Sequence, residues 1–474
     1  MKKVFVCSHE PTRLRMAAAL EGFETSPRVP DEPVDILLRW GVADGPDNAA
    51  WIINRRGAVE RSGDWEQVVN FLHANRIPTS NQAAPRYRVY LFDMRTFAIT
   101  RRVGRTWRMF RPYRKLRELL AVRCRRVLYA LGLHAGAVEV GVSRRGRLVI
   151  TKVSSGPRLS APLARRLAAA IHEYMNQHRY DPSDRQVVLG ADPEFILRRR
   201  STGRLVTANR FFPYRGMVGH DRLLRRSFGG RPLAELRPAP SADPHQLLRN
   251  LRRAMRRAIL RTGRRIAFSA GSLPVASLPI GGHIHFSGIS FTADFLWALD
   301  IYLGIPLLLL DHPVRAARRR RRYGYLGDFR FQRHGGFEYR TLPSWIISPT
   351  IALAVLCLAK TIAQEYHRLP RHLLARHELQ RAFYQSYKEP FYERFPELWY
   401  YLEQVPTFHQ YAEYIRPIKQ WIDDRKTWPD HADIKRRWLT PSPRRPRRRA
   451  RRTRTAVASS RRFAAAAGAR SRST

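Results

Sequence analysis

Residues 187–199 read VVLGADPEFILRR, and the placing of Asp192 and Glu194 in that run decides the fold. Apolar residues flank the two acids on both sides, as in a buried strand. On a strand, residues i and i+2 point to one face. Three further segments repeat the pattern: Glu235/Arg237 in LAELRPAP, His283/His285 in GGHIHFSG and Glu338/Arg340 in GFEYRTLPSW. Together they predict a sheet that presents four acids, two imidazoles and two guanidiniums on one side. Burying such a set is costly unless it holds a ligand.

Working outward, GRLVTAN pairs back on 187–199 through a turn at Ser201–Gly203, and RRIAFSAG adds a strand. SADPHQLLRNLRRAMRRAILR reads as a helix capped by Ser241 or Asp243. Residues 292–310 and 349–366 read as helices, and 367–438 as aromatic-rich and mostly helical. Strands with helices packed against them indicate an α+β domain with a largely antiparallel sheet over residues 186–438.

Residues 1–180 form a smaller α/β region. KKVFVCS, VDILLRWG and YRVYLFD are strands there, and AVEVGVSRRGRLVITKV is a hairpin. DWEQVVNFLHAN, KLRELLAVRCRRVLYALGL and LSAPLARRLAAAIHEYMNQH are helices. QHRYDPSDRQ is a polar linker that carries the boundary, and residues 439–474 read as a disordered, arginine-rich tail.

Three scattered cysteines without metal spacing fit a reducing cytoplasm rather than a disulfide framework. The start, MKKVFVCSHEPTR, turns polar too early for a secretory signal. The most apolar stretch, FLWALDIYLGIPLLLL, is 16 residues long and contains Asp300. It falls short of the roughly 20 residues a membrane span needs and reads as a buried helix, with no membrane partner expected. Net charge is +49, with 78 arginines among 87 basic residues. The last 34 residues carry 12 arginines and no acid, which leaves +37 on residues 1–440. A bias this even fits arginine on solvated faces, with nonspecific polyanion binding as its side effect.

The pairs carry distinct chemistry. Asp192 and Glu194 amid buried-strand residues call for cations, and magnesium is the simplest. Pro238 and Pro240 end the next strand at once, placing Glu235 and Arg237 near a sheet rim. Gly281 and Gly282 ahead of His283 and His285 remove side chains, leaving room for a ligand at the backbone. Zinc competes for the two histidines but needs a third ligand, for which His312 and His334 are candidates without supporting spacing. The planar forks of Arg237 and Arg340 suit phosphate or carboxylate oxygens. Residues 322–330, RYGYLGDFR, form a glycine-punctuated basic loop able to close over phosphates.

In order, GADPEF, AELRP, GGHIH, YGYLGDFR and EYRTLPSW resemble the phage and bacterial COOH-NH2 ligase type 2 group, amidoligases with a glutamine-synthetase-like fold. The resemblance implies an antiparallel catalytic sheet that uses ATP and Mg2+. It implies that His283 and His285 sit by nucleotide or metal, and that Glu194, Glu235 and Glu338, with Asp192, ligate magnesium. Arg237, Arg330 and Arg340 would hold phosphate or the substrate carboxylate. A fainter resemblance joins ALGLHAGAVEVGV and RLVITKVSSGPRL to the end of an ATP-grasp domain. Glu139 keeps one acid of that family, whereas Lys152 and Ser154 replace its second acid and its asparagine. Residues 1–180 therefore read as an ATP-grasp-like remnant without catalysis of its own.

The function these readings support is ATP-dependent amide or peptide-like bond formation between a small-molecule or peptide carboxylate and an amine, through an acyl phosphate. Two rivals remain open at this point: a metal-dependent nuclease, and a non-enzymatic nucleic-acid binder. Aromatic platforms would favour the latter, but Trp and Tyr are dispersed through core segments.

Overall fold

The computed structural model describes residues 4–9, 12–19, 24–30, 32–177, 186–333 and 335–439. Residues 178–185 of the expected linker, His334 and residues 440–474 lie outside the described residues.

Among the described residues the strands form three sheets. A parallel sheet runs Glu24–Ser26, Val4–Ser8, Val34–Trp40, Ala49–Ile53. A five-stranded antiparallel sheet runs Thr106–Met109, Arg95–Val103, Pro85–Phe92, Ala135–Val142, Leu148–Ser154. The third is an eight-stranded antiparallel sheet built on Val188–Arg199. Its path is Val218–His220, Leu233–Leu236, Val188–Arg199, Gly282–Ser287, Phe337–Tyr339 and Phe329–Phe331. Leu205–Val206 and Ile266–Ser269 also pair with Val188–Arg199. The molecule is thus mixed α and β, with the antiparallel sheet expected for the second region.

The hairpin Arg95–Val103 and Thr106–Met109 was not legible in the sequence. Arginines at 95, 101, 102, 105 and 108 hide its alternation. The apolar run 293–310 is not one α-helix as expected. It is α-helical over Ala293–Leu299 and Ile305–Leu310, with a π turn at Asp300–Gly304 between them. Pro306 cannot donate a backbone hydrogen bond, and an extra residue in the turn absorbs the missing link. This segment is long and apolar enough to span a membrane, yet all of it is buried inside the protein.

One side of the main sheet is apolar. Ala191, Phe195, Leu197, Ile284 and Tyr339 point there and are buried. The helix Pro244–Thr262 packs against this sheet, started by Asp243, whose carboxylate accepts from the His245 and Gln246 amides. The helix Pro349–Glu365, capped by Ser348, packs on Pro244–Thr262.

A single apolar core extends from this layer into the N-terminal region, and the described chain up to residue 439 is one compact unit. The helix Arg114–Leu131 turns Leu120, Cys124, Val127, Leu128 and Leu131 inward and stops at Gly132, whose φ is 76°. Polar ties cross between the regions at buried positions. Tyr129 donates to Asp300 at 2.6 Å, and the Ala293 amide donates to Asp93 at 2.8 Å. His134 Nδ1 accepts from the Asn54 amide, so its other nitrogen carries the proton that faces Asp294 at 3.4 Å.

Candidate active site

The register of the main sheet assembles the four pairs. Asp192 lies opposite His283, Glu194 opposite Glu235, His285 opposite Glu338, and Glu338 opposite Arg330. Gly190 faces His285, and a side chain there would crowd it: a Cβ would sit 3.3 Å from the His285 Cβ and 3.7 Å from its ring. The side-chain face inferred from i, i+2 spacing is therefore a real surface of adjoining strands.

His283 is its hub. Nδ1 lies 3.0 Å from Asp192 Oδ1 and 3.3 Å from Glu338 Oε1, and Nε2 is bonded to the Tyr323 hydroxyl. His285 Nε2 approaches the same Asp192 oxygen at 3.2 Å. Glu338 accepts from Arg330 Nε at 2.9 Å and Gln332 Nε2 at 2.8 Å through one oxygen. Its other oxygen lies 3.2 Å from Arg340 Nε. Arg340 also donates to Tyr323 at 2.7 Å. Glu194 accepts from the Gly281 amide at 2.7 Å. Glu235 is held by Arg237 at 3.0 Å, and Arg237 continues to the Tyr214 carbonyl at 2.7 Å.

The electrostatics record crowding. Burial, with Asp221 and Asp192 adding to it, raises Glu194 to about 7. Burial and then Asp192 raise Glu235 to about 9, against the pull of Arg237. Burial disfavours charge on His283, but Asp192, Glu194 and Glu338 outweigh it and lift the imidazole to about 9. Asp192 is held well below the usual carboxylate range despite its burial, because His283 and His285 both face it. Two acids driven toward neutrality beside a charged third are what an additional cation would relieve.

A divalent cation fits this donor set. One ligand atom from each of Asp192, His285 and Glu338 lies within 4.8 Å of the other two. His285 Nε2 and Glu338 Oε1 are buried and lack hydrogen-bond geometry among the described residues, although each approaches an opposite charge. His283 has both nitrogens engaged and acts as internal counter-charge. His312, the described candidate for a third zinc ligand, stands near Asp311 and Asp430 instead.

The glycine pair corrects the sequence reading. A Cβ on Gly282 would fall 2.5 Å from the Trp345 ring and 2.6 Å from the Pro343 carbonyl. One on Gly281 would fall 2.5 Å from His283 Nε2. These positions admit the protein's own side chains, so the backbone there is not open to a ligand in the way inferred from composition.

Sequence reasoning gave Tyr323 only a place in the loop 322–330 and passed over Arg319. Tyr323 bridges His283 and Arg340. Arg319 is fully buried and donates to the carbonyls of Ile280, Thr341 and Leu342 at 2.6–2.8 Å, tying the histidine strand to the segment after Arg340. It lies in the run Arg318–Arg322, where only the helical phase of Pro313–Arg320 sets it and the buried Arg320 apart from their exposed neighbours. Ser344 donates to the Glu194 carbonyl at 2.6 Å and completes the frame.

Comparison with known proteins agrees with the motifs. The family described as "Phage phiEco32-like COOH.NH2 ligase-type 2" matches residues 189–440. No curated protein matches the chain. Among solved structures, it is similar to a RimK domain ATP-grasp protein from Sphaerobacter thermophilus at 12% identity and TM-score 0.28, covering 35% of this chain and 98% of that one. For D-alanine–D-alanine ligase from Bacillus anthracis, complexed with ATP, the values are 10% and 0.29, covering 36% and 92%. A bifunctional glutathione synthetase from Pasteurella multocida gives 13% and 0.33, covering 56% and 50%. With its four acid- and histidine-bearing strands inside the matched segment, the chain belongs to the phage phiEco32-like COOH.NH2 ligase-type 2 family.

Proposed function

We propose that this ligase joins a carboxylate to an amine by using ATP and Mg2+, with an acyl phosphate as the activated intermediate. The observation that carries the reading is the convergence of Asp192, Glu194, Glu235 and Glu338 around His283 on adjoining strands, with Arg330 and Arg340 at its edge. Amide formation from free acid and amine in water is uphill, so the carboxylate must first carry a leaving group. Asp192, His285 and Glu338, with Glu194 and Glu235 nearby, would hold Mg2+. When bound, such an ion neutralises polyphosphate charge.

The chain's own groups supply the rest. Arg340 is fixed by Glu338 and Tyr323, so its guanidinium needs no reorganisation to face charge growing on a transferring phosphoryl group. Arg330 is 59% exposed at its side chain and can leave Glu338 for an incoming anion. Arg237 would orient the substrate carboxylate. The sheet would be glutamine-synthetase-like over residues 186–438, and residues 1–180 an ATP-grasp-like remnant. Three free, buried cysteines suit a reducing cytoplasm, where we place the protein.

Thermal shift provides the test. Mg2+ with ATP should raise the melting temperature, since a ligand of the native state stabilises it, and Glu194→Gln should remove the shift. Metal-dependent DNA cleavage without ATP would replace the ligase reading with a nuclease, and stabilisation by DNA alone would replace it with a non-enzymatic nucleic-acid binder.

A further inference from the structure

An open cleft of about 1600 Å³ lies between the N-terminal antiparallel sheet, the helices Arg114–Leu131 and Ala161–Gln177, and the segment 325–331 with its edge strand Phe329–Phe331. Small-ligand pockets commonly occupy about 300–1,000 Å³, so this one is oversized for a single amino acid. Its lining includes Asp328, Arg330 and Arg340, so it adjoins the ligase site. Its walls carry Arg95, Arg111, Arg117 and Arg125, none of which forms an ion pair among the described residues. Apolar side chains stand exposed between them, with Met109 at 47% and Val122 at 38%.

Resting on the ligase reading above, we propose that this cleft binds an acidic peptide segment and delivers its carboxylate to Arg330 and Arg340. Guanidinium groups recognise carboxylates by paired hydrogen bonds, and the exposed Met109 and Val122 suit side chains of a peptide rather than a bare anion. Nucleic acid fits less well. Single strands need free aromatic faces on which bases stack. Here Arg95 covers Phe331 at 4.3 Å, Arg125 covers Phe329 at 4.9 Å and Arg101 covers Phe110 at 5.1 Å. The cleft also gives the part of the N-terminal region between Phe92 and Gln177 a purpose without an ATP site of its own: its segments line the cleft.

The experiment is fluorescence anisotropy with a labelled hexaglutamate peptide on the full chain, at near-physiological salt. Arg111→Glu/Arg117→Glu changes two exposed cleft positions, and Arg256→Glu/Arg257→Glu changes two exposed arginines on the helix Pro244–Thr262. Both variants carry the same net charge. The cleft variant should bind about tenfold more weakly than the control, as expected when charges at a recognition surface are reversed. Both should keep the wild-type thermal shift with Mg2+ and ATP. Equal weakening in the two variants would overturn the proposal, because binding would then follow net charge alone. So would a labelled oligothymidylate that outcompetes the peptide and is lost only in the cleft variant. Failure of the ligase reading is seen separately, as a wild-type protein without an ATP shift that still binds peptide in the cleft.

Discussion

Two antiparallel sheets in this molecule use the same cross-strand device and differ in what they do with it. In the N-terminal sheet, Glu139 faces Arg88 from the neighbouring strand and is held by it at 2.6 and 3.0 Å. Lys152 lies opposite Glu139 on the other side. That acid is outnumbered by cations, and nothing about it asks for a further partner. In the ligase sheet, burial and neighbouring carboxylates lift Glu194 and Glu235 toward neutrality even though five bases, His283, His285, Arg237, Arg330 and Arg340, stand among the four acids. A charged pair on a strand is therefore not a site. A site is where the strands bury acids so close together that some are driven toward neutrality despite the bases beside them.

The sharpest way to break this contrast is Glu338→Gln. The side chain keeps its size, but its charge disappears from between His283, Arg330 and Arg340. We expect turnover, measured as ADP release, to fall by about a thousandfold, comparable to losing a main electrostatic group of an active site. The fold should persist, seen as an unchanged far-UV spectrum. Retained turnover would show that the crowded acids are structural after all.

Next in size is the joint between the two sheets. Asp300 accepts from Tyr129, Tyr339 and the Gly327 amide, each at 2.6 Å, and is fully buried. Asp300→Leu leaves three buried donors unmet, and we expect a loss of about 3–5 kcal/mol in chemical denaturation. Burial raises Asp300 from 3.8 to about 6, against the opposing pull of these donors. Between those values the folded state holds a proton that the unfolded state lacks, so this group's contribution grows as pH falls from about 6 toward 4. Asp300→Asn should remove that slope from the pH dependence of unfolding.

Tyr323→Phe tests whether Arg340 needs its tether. The ring stays to pack on His283 at 5.8 Å between centroids, and only the hydroxyl contacts to His283 and Arg340 vanish. A drop of about tenfold in kcat with little change in stability is expected, the cost of one positioned hydrogen bond to a charge.

How far the sequence could be read follows from the same physics. Strand pairs such as Asp192/Glu194 and His283/His285 were legible because alternation is a local property of the backbone, and register then did what spacing promised. Glu194 meeting Glu235 is equally local once the strands pair. The role of Gly282 was not legible, because it depends on Trp345, which is 63 residues away. Arg319 was hidden for a different reason: five arginines in a row look alike until a helix turns two of them, Arg319 and Arg320, inward. The cleft was the least legible feature, since its walls come from segments scattered from Phe92 to Arg340.

The smallest effect is the most telling for the comparison. Glu139→Gln removes the acid of the N-terminal sheet and frees Arg88, which stacks over Trp107 at 4.2 Å and keeps that support. The pair is partly exposed, at 23% for Arg88 and 13% for Glu139, so the loss in stability should stay within about 1 kcal/mol. Turnover should remain within about twofold of wild type, inside the usual range for a surface change. If residues 1–180 held a working nucleotide site, this acid would be among its cation ligands and ADP release would collapse instead. A large loss here would therefore move the chemistry, or a second ATP, into the N-terminal sheet, and the division between a catalytic sheet and a substrate-guiding wall would have to be abandoned.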